Sequence, residues 1–255
     1  MYDQLEATLH DTFWEAEGAG VELSLLENFL ASHSGTALEL GCGSGRLMLP
    51  LLEKGYLIEG LDNSADMLQL FRQHAAPQEP VMHHSDIRDF QTGATYSAIT
   101  IPAFTLQLLP YTDLPAILEN IRRHLHPDGG LYITLFIPWA EITGELEEGE
   151  EFLDHETYYP DGRCARCHTR FQIRRISQQL LREHRYEICS EDGKVIETSN
   201  STHDLTWLWP REVCKLLTDS GFSIQKMIGD FKIDEPFDED SQMVTLFAQR
   251  VEELD

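Results

Sequence analysis

The sequence predicts an α/β sandwich around a mostly parallel sheet, with an antiparallel β insertion toward its C-terminal end. Three observations carry this. Strand-length apolar runs alternate with segments of helical apolar spacing from Leu5 to Ile137, the pattern of strands joined by crossover helices. One strand-to-helix junction, Gly41-Cys42-Gly43-Ser44-Gly45, carries three alternating glycines, and glycine permits positive φ and close backbone approach. From Pro138 onward the helical spacing gives way to runs bounded by turn residues, among them Glu191-Asp192-Gly193, a hairpin signal.

Taken in order, Leu5 to Trp14 and Val21 to Ala31 show helical spacing, and Ser34-Gly35-Thr36 closes the second segment before the strand Ala37 to Leu40. Arg46 to Lys54 reads as the next helix and Tyr56 to Leu61 as the second strand. Asn63-Ser64 caps a helix running to Ala75, since small polar side chains accept hydrogen bonds from the first turn. Ala98 to Ile101 reads as the fourth strand, and Thr112-Asp113 as the cap of a helix to Leu125. His126-Pro127-Asp128-Gly129-Gly130 then reads as a turn before the strand Leu131 to Ile137. Glu141 to Asp154 reads as an acidic loop, and Thr169 to Ser177, Leu180 to Ser190 and Lys194 to Thr206 as antiparallel strands. Pro210 opens a helix that Gly221 ends, and Phe222 to Ile228 with Met243 to Arg250 close the chain as an antiparallel pair. Residues 1–137 and 209–255 are expected to form the core and 138–208 the insertion.

The glycine spacing bears on the ligand. Dinucleotide folds use G-x-G-x-x-G to seat a pyrophosphate. Here the spacing is G-x-G-x-G, and Glu39 stands two residues before the first glycine. A carboxylate there repels a pyrophosphate and suits an ammonium or a sulfonium. Asp62 ends the second strand, where a carboxylate accepts hydrogen bonds from both hydroxyls of a ribose.

On these residues the chain resembles the class I S-adenosylmethionine-dependent methyltransferases, small-molecule branch. That resemblance implies a Rossmann-like sandwich with a seven-stranded, mostly parallel sheet whose last strand is antiparallel, and an insertion that serves as a lid over the substrate. It implies S-adenosyl-L-methionine as cofactor. The amino-acid half would be held by Glu39, Gly41, Gly43 and Gly45, and the ribose by Asp62, with Asn63 and Met67 beside it. Asp86 would face the adenine amino group, Ile87 would pack on the ring, and Pro102 would border the cofactor after the fourth strand. In similar enzymes the N-terminal segment folds over the cofactor. Trp14 would then lie against the sulfonium by cation–π attraction, or else be a core residue.

In-line methyl transfer needs alignment of the acceptor with the methyl group and exclusion of water. A base matters when the acceptor arrives protonated. The candidates are Tyr111, where the family builds its acceptor pocket, and His203, late in the insertion. Each has a plainer reading, Tyr111 as a packing aromatic and His203 as an exposed strand histidine. Trp207-Leu208-Trp209 reads as the apolar hinge of the insertion.

The five cysteines, at 42, 164, 167, 189 and 214, read as reduced thiols in a chain whose start lacks a basic, apolar leader. Cys164-Ala165-Arg166-Cys167-His168 matches the C-x-x-C-H spacing of haem attachment, but that chemistry requires export. Zinc would need a second cysteine pair. A cysteine-rich turn is the expectation, with no metal. The acidic runs 145–151 and 234–240 lack the fixed ligand spacing of a calcium loop.

A formal charge of −25, from 44 acids and 19 bases, opposes nucleic-acid binding, which needs a basic face. No apolar run approaches the length of a membrane span. The expectation is a cytoplasmic monomer or homodimer, without nucleic-acid or membrane partners, that methylates a small-molecule acceptor at an amine nitrogen. The alternatives are a small-molecule O-methyltransferase and a catalytically idle S-adenosylmethionine-binding regulatory protein.

Overall fold

The computed structural model describes residues 5, 6, 8, 9, 12, 13 and 20–251. Strands β1 (Ala37–Leu40), β2 (Ile58–Asp62), β3 (Met82–His84), β4 (Tyr96–Ile101), β5 (Leu125–Phe136), β10 (Phe222–Gly229) and β11 (Met243–Arg250) form one sheet in the order β10-β11-β5-β4-β1-β2-β3. The pairs β1 with β2, β1 with β4, β2 with β3 and β4 with β5 are parallel, and β11 runs antiparallel to both its neighbours. β1 and β4 are buried at every position, as expected of strands covered on both faces.

The helices of this unit are α1 (Gly20–Ala31), α2 (Met48–Glu53), α3 (Ala65–Ala75), α4 (Leu114–His124) and α6 (Pro210–Asp219). Ser64 caps α3 as expected, its hydroxyl accepting from Met67 N–H at 3.3 Å. Asp113 makes no such bond at α4, because residues 111–113 form a 3-10 turn that leads into the helix. Two buried layers flank the sheet. Leu38, Ile99, Ile133, Leu135, Ile117, Val213 and Leu246 belong to one, and Leu26, Phe29, Met48, Phe71 and Tyr132 to the other.

The second sheet is antiparallel, β6-β7-β8-β9, from β6 (Phe152–Tyr158), β7 (Cys164–Arg174), β8 (Gln179–Cys189) and β9 (Val195–Thr206). The 191–193 hairpin closes as expected, Ser190 N–H donating to Lys194 O and Gly193 N–H to Ser190 O. By chain contacts, residues 1–19 and 138–206 make one compact unit, and 20–137 and 207–255 the other. The N-terminal segment thus groups with the insertion, not with the core where the sequence reading placed it. The reason is apolar packing: Leu9 and Phe13 cluster with Ala165, Cys167, Tyr186 and Ile188.

Other expectations also shift. The supposed turn 126–130 continues β5, Gly130 pairing with Ala98 and Gln249. The acidic loop 141–154 holds the end of the short helix α5 (Trp139–Thr143) and the start of β6. Glu141 is buried there because Arg182 pairs with it. The cysteine-rich segment is strand, not turn. Among the described residues no helix is long and apolar enough to cross a membrane.

Candidate active site

The order in which strands are laid down reverses between the parallel strands β1 and β4: from β1 the path runs outward through β2 and β3, and from β4 through β5. Open parallel sheets take their ligands at the carboxyl ends of strands at such a point. Residues with positive φ follow both β1 and β4.

Gly41, Gly43 and Gly45 all have positive φ, at 77°, 52° and 89°. Their reasons differ. A Cβ on Gly41 would lie 2.4 Å from Thr105 Cγ2, and one on Gly45 2.6 Å from the Phe71 ring. These two glycines let neighbouring elements close in. A Cβ on Gly43 would meet only Met67 Sδ, in ordinary van der Waals contact at 3.8 Å. The Gly43 N–H donates to Asp62 Oδ2 at 2.9 Å, and Ser64 N–H donates to Asp62 Oδ1 at 2.8 Å. Asp62 therefore ties the loop to the end of β2, while each carboxylate oxygen keeps a further lone pair. Burial raises its pKa, and the N–H groups of Ser64 and Gly43 oppose that rise.

Glu39 lies within β1, 2% exposed, and its Oε2 has no hydrogen-bond partner. Burial pushes its carboxyl up to about 8; Arg46 opposes, while Glu22 and Asp62 add to the rise. A buried polar atom without a partner is costly.

Two contributors escaped the sequence reading, Glu22 on α1 and Arg46 after the last glycine. Glu22 Oε1 accepts from Ala103 N–H at 3.1 Å and from the Thr134 hydroxyl at 3.0 Å, and its Oε2 lies 3.7 Å from Arg46 Nη2. Ala103 and Phe104 follow buried Pro102 with φ of 51° and 61°, a conformation that costs an L-residue about 1–3 kcal/mol each. Glu22 and Thr134 hold it, Phe104 N–H donating to Thr134 Oγ1 at 3.4 Å. Nothing in the helical pattern of α1 marks Glu22. Its one signal is a charge at a position that the spacing buries beside Leu25, Leu26 and Phe29.

Ile87 is buried. Asp86 is half-buried and bidentate with Arg88, at 2.9 and 2.7 Å. That pairing holds its carboxyl below the ordinary carboxylate range. Asn63 is exposed and Met67 buried next to Gly43. Trp14 lies outside the described residues. Tyr111 is 50% exposed.

His203 belongs to the other unit and is not an exposed strand histidine. Its Nε2 meets Glu6 Oε1 at 2.7 Å, and Glu6, fully buried, also accepts from Ser201 Oγ at 2.7 Å and Tyr186 OH at 3.4 Å. Burial alone would raise the Glu6 pKa, but the bond and charge of His203, together with Ser201, hold it lowered. Structure thus groups Glu39, the glycines, Asp62, Met67 and the Pro102 turn at one sheet edge, and shows His203 in a separate acid–imidazole pair.

Residues 37–129 match the methyltransferase domain family. The chain is 30% identical over 139 residues to a dTDP-3-amino-3,6-dideoxy-alpha-D-glucopyranose N,N-dimethyltransferase of Streptomyces fradiae, covering 52% of each chain. It is 27% identical over 171 residues to a dTDP-4-amino-2,3,4,6-tetradeoxy-D-glucose N,N-dimethyltransferase of Saccharopolyspora spinosa, covering 63% of this chain and 66% of that one. The matches therefore span between half and two thirds of these curated relatives. The crystal structure of Streptomyces venezuelae DesVI superposes with a TM-score of 0.76 at 20% identity, over 99% of this chain and all of the other.

Proposed function

We propose that this chain, a member of the class I S-adenosylmethionine-dependent methyltransferases, transfers a methyl group to an amine nitrogen of a small molecule. The observation that supports the cofactor reading most is the buried Glu39 carboxyl, whose Oε2 has no hydrogen-bond partner and whose pKa is raised by burial, Glu22 and Asp62 while Arg46 opposes. An ammonium seated there draws the Glu39 carboxyl into its ionised form, whereas a pyrophosphate would be repelled. The residues fit the cofactor: Glu39 and the Gly43 turn take the amino-acid half, Asp62 the ribose hydroxyls, and Ile87 the adenine face. Asp86 reaches the adenine amino group by exchanging its bond to Arg88. Met67, Asn63 and Pro102 border these groups, and Trp14 is kept as a candidate for the sulfonium.

S-adenosylmethionine, when bound, supplies a methyl group already activated by its sulfonium. The protein then has to orient the acceptor, exclude water and accept a proton. Tyr111 and His203 are the proposed acceptor-side residues, carried by the core and by the antiparallel unit respectively. Glu6 holds the His203 ring as the carboxylate of a catalytic triad holds its imidazole, so His203 can take the proton lost by an ammonium acceptor. The relatives named for amino-sugar N,N-dimethylation support an amine on a nucleotide sugar as the substrate class.

Turnover decides among the readings. Purified protein, S-adenosylmethionine and a matched pair of nucleotide sugars, one with an amino group and one with a hydroxyl at the same carbon, are followed by mass spectrometry. A gain of one or two methyl groups on the amino sugar alone is expected. Methylation of the hydroxyl sugar instead makes it an O-methyltransferase. Cofactor binding without turnover on either sugar overturns the amino-sugar proposal.

A further inference from the structure

We propose that Asp154, Cys167 and His184, on three adjacent strands of the antiparallel sheet, form a site for a divalent ion of the zinc class. The three donor atoms lie within 4.8 Å of one another. Strand geometry puts them there. Side chains alternate along a strand, so Ala165, Cys167 and Thr169 share one face of β7. The register pairs Cys167 with Tyr186 and Thr169 with His184, which sets His184 diagonal to Cys167, with Sγ 3.7 Å from Nδ1. Asp154 arrives by an irregularity: the β6–β7 register slips between Leu153 and His155. A bulge of this kind re-aims a side chain, and the Asp154 carboxylate reaches the same face beside Thr169.

One thiolate, one imidazole and one carboxylate suit zinc and its neighbours, not magnesium or calcium. Bonds of about 2.0–2.3 Å to a tetrahedral ion place donors roughly 3.3–3.8 Å apart, so the widest pair closes by about 1 Å. Cys167 is 2% exposed, and Asp154 and His184 are half-buried. The Glu6–His203 pair borders this group, the His203 ring lying edge-on to His184 with ring centroids 5.3 Å apart. The same alternation disposes of the C-x-x-C-H motif. Cys164 and His168 fall on the opposite face from Cys167, so their nearness in sequence is not nearness in the site.

The Thr169 hydroxyl stands among the donors, giving a hydrogen bond to Asp154 Oδ2 at 2.7 Å and meeting His184 Nδ1 at 2.8 Å. An ion replaces both bonds, and the hydroxyl turns aside. This gives the test its discriminating variant. In a hydrogen-bonded network Thr169 is the centre; in a metal site it is dispensable.

The full chain, stripped with chelator, is titrated with Co²⁺ and followed by absorption, then challenged with Zn²⁺. One Co²⁺ per chain is expected, with a thiolate-to-metal charge-transfer band and the intense visible bands of a tetrahedral ion, both lost on adding Zn²⁺. Cys167→Ser and His184→Asn, each with a wild-type circular dichroism spectrum, lose these bands, while Cys42→Ser, Cys164→Ser and Thr169→Val keep them. If one of the first two variants does not fold, the other decides. Absence of the bands in wild type, or bands that survive Cys167→Ser, overturns the proposal. The readout needs no turnover, so it stands or falls apart from the methyl-transfer reading.

Discussion

The two units each bury carboxylates beside cationic or titratable groups, but they assemble them differently. In the large sheet, Gly41, Gly43, Gly45, Asp62 and Pro102 all lie just past or at the carboxyl ends of parallel strands. Parallel strands present these ends along one edge, so a site can be written in short contiguous loops. In the antiparallel sheet, Asp154, Thr169, His184, Ser201 and His203 lie within four different strands, joined by Glu6 from nearly two hundred positions away. Loops have sequence signatures. Members of a strand face, two residues apart and scattered over several strands, have none.

If this division is also functional, the two units separate cofactor binding from turnover. The largest expected effect is then on the antiparallel side. His203→Gln should lower kcat by about 10²–10⁴-fold, the range of a lost general base, while the affinity for S-adenosylhomocysteine by calorimetry stays within about twofold. A matching loss of that affinity would break the separation.

Next comes Asp62→Ala. Hydrogen bonds to a charged group contribute roughly 1.5–3 kcal/mol each, and the proposed ribose contact puts at least one at stake. Affinity for S-adenosylhomocysteine should fall by about a hundredfold, near 2.7 kcal/mol. An unchanged dissociation constant in a folded variant would remove Asp62 from the site.

A smaller effect belongs to Glu22, which touches Ala103, Thr134 and Arg46. Glu22→Ala should weaken cofactor binding by about tenfold, since it leaves a buried N–H and hydroxyl unsatisfied. Glu22→Gln, which keeps an acceptor oxygen, should recover most of that. Equal losses in both would mean that charge toward Arg46, not the clamp on Ala103, is what Glu22 provides.

The last effect is of another kind, a pH slope in stability. Glu39 titrates near 8 in the folded chain against an ordinary 4.5. Between these values the folded state holds a proton that the unfolded state has lost. The stability due to this group is therefore full below about 4.5, falls as pH rises and is lost above about 8. The unliganded melting temperature should decline across this window in wild type and decline less in Glu39→Gln, by scanning calorimetry. A steeper decline in the variant would sink the assignment.

The match between expectation and structure follows the same division. Ala37 to Leu40, the glycines, the Asp62 strand end, the Ser64 cap and the 191–193 hairpin were legible because backbone conformation and residue type are locally coupled there. β6 was hidden inside an acidic run, since Asp154, Glu150 and Glu151 mask a short strand whose pairing supplies its stability. The 126–130 turn failed because β11 and β4 pair with Gly130 on both sides, and tertiary pairing overrides the turn propensity of Pro-Asp-Gly-Gly.

By itself the sequence determined the alternation of strands and helices through the first half of the large sheet, the glycine turn and the two carboxylates beside it. Those features depend on φ, on side-chain period and on charge within a few residues. Tertiary structure alone decided that Glu22 holds the Ala103–Phe104 turn, that Glu6 pairs with His203, and that Cys167 keeps company with Asp154 and His184 instead of Cys164. These depend on register between strands, where a shift of one residue sends every side chain to the other face, and no local pattern encodes it.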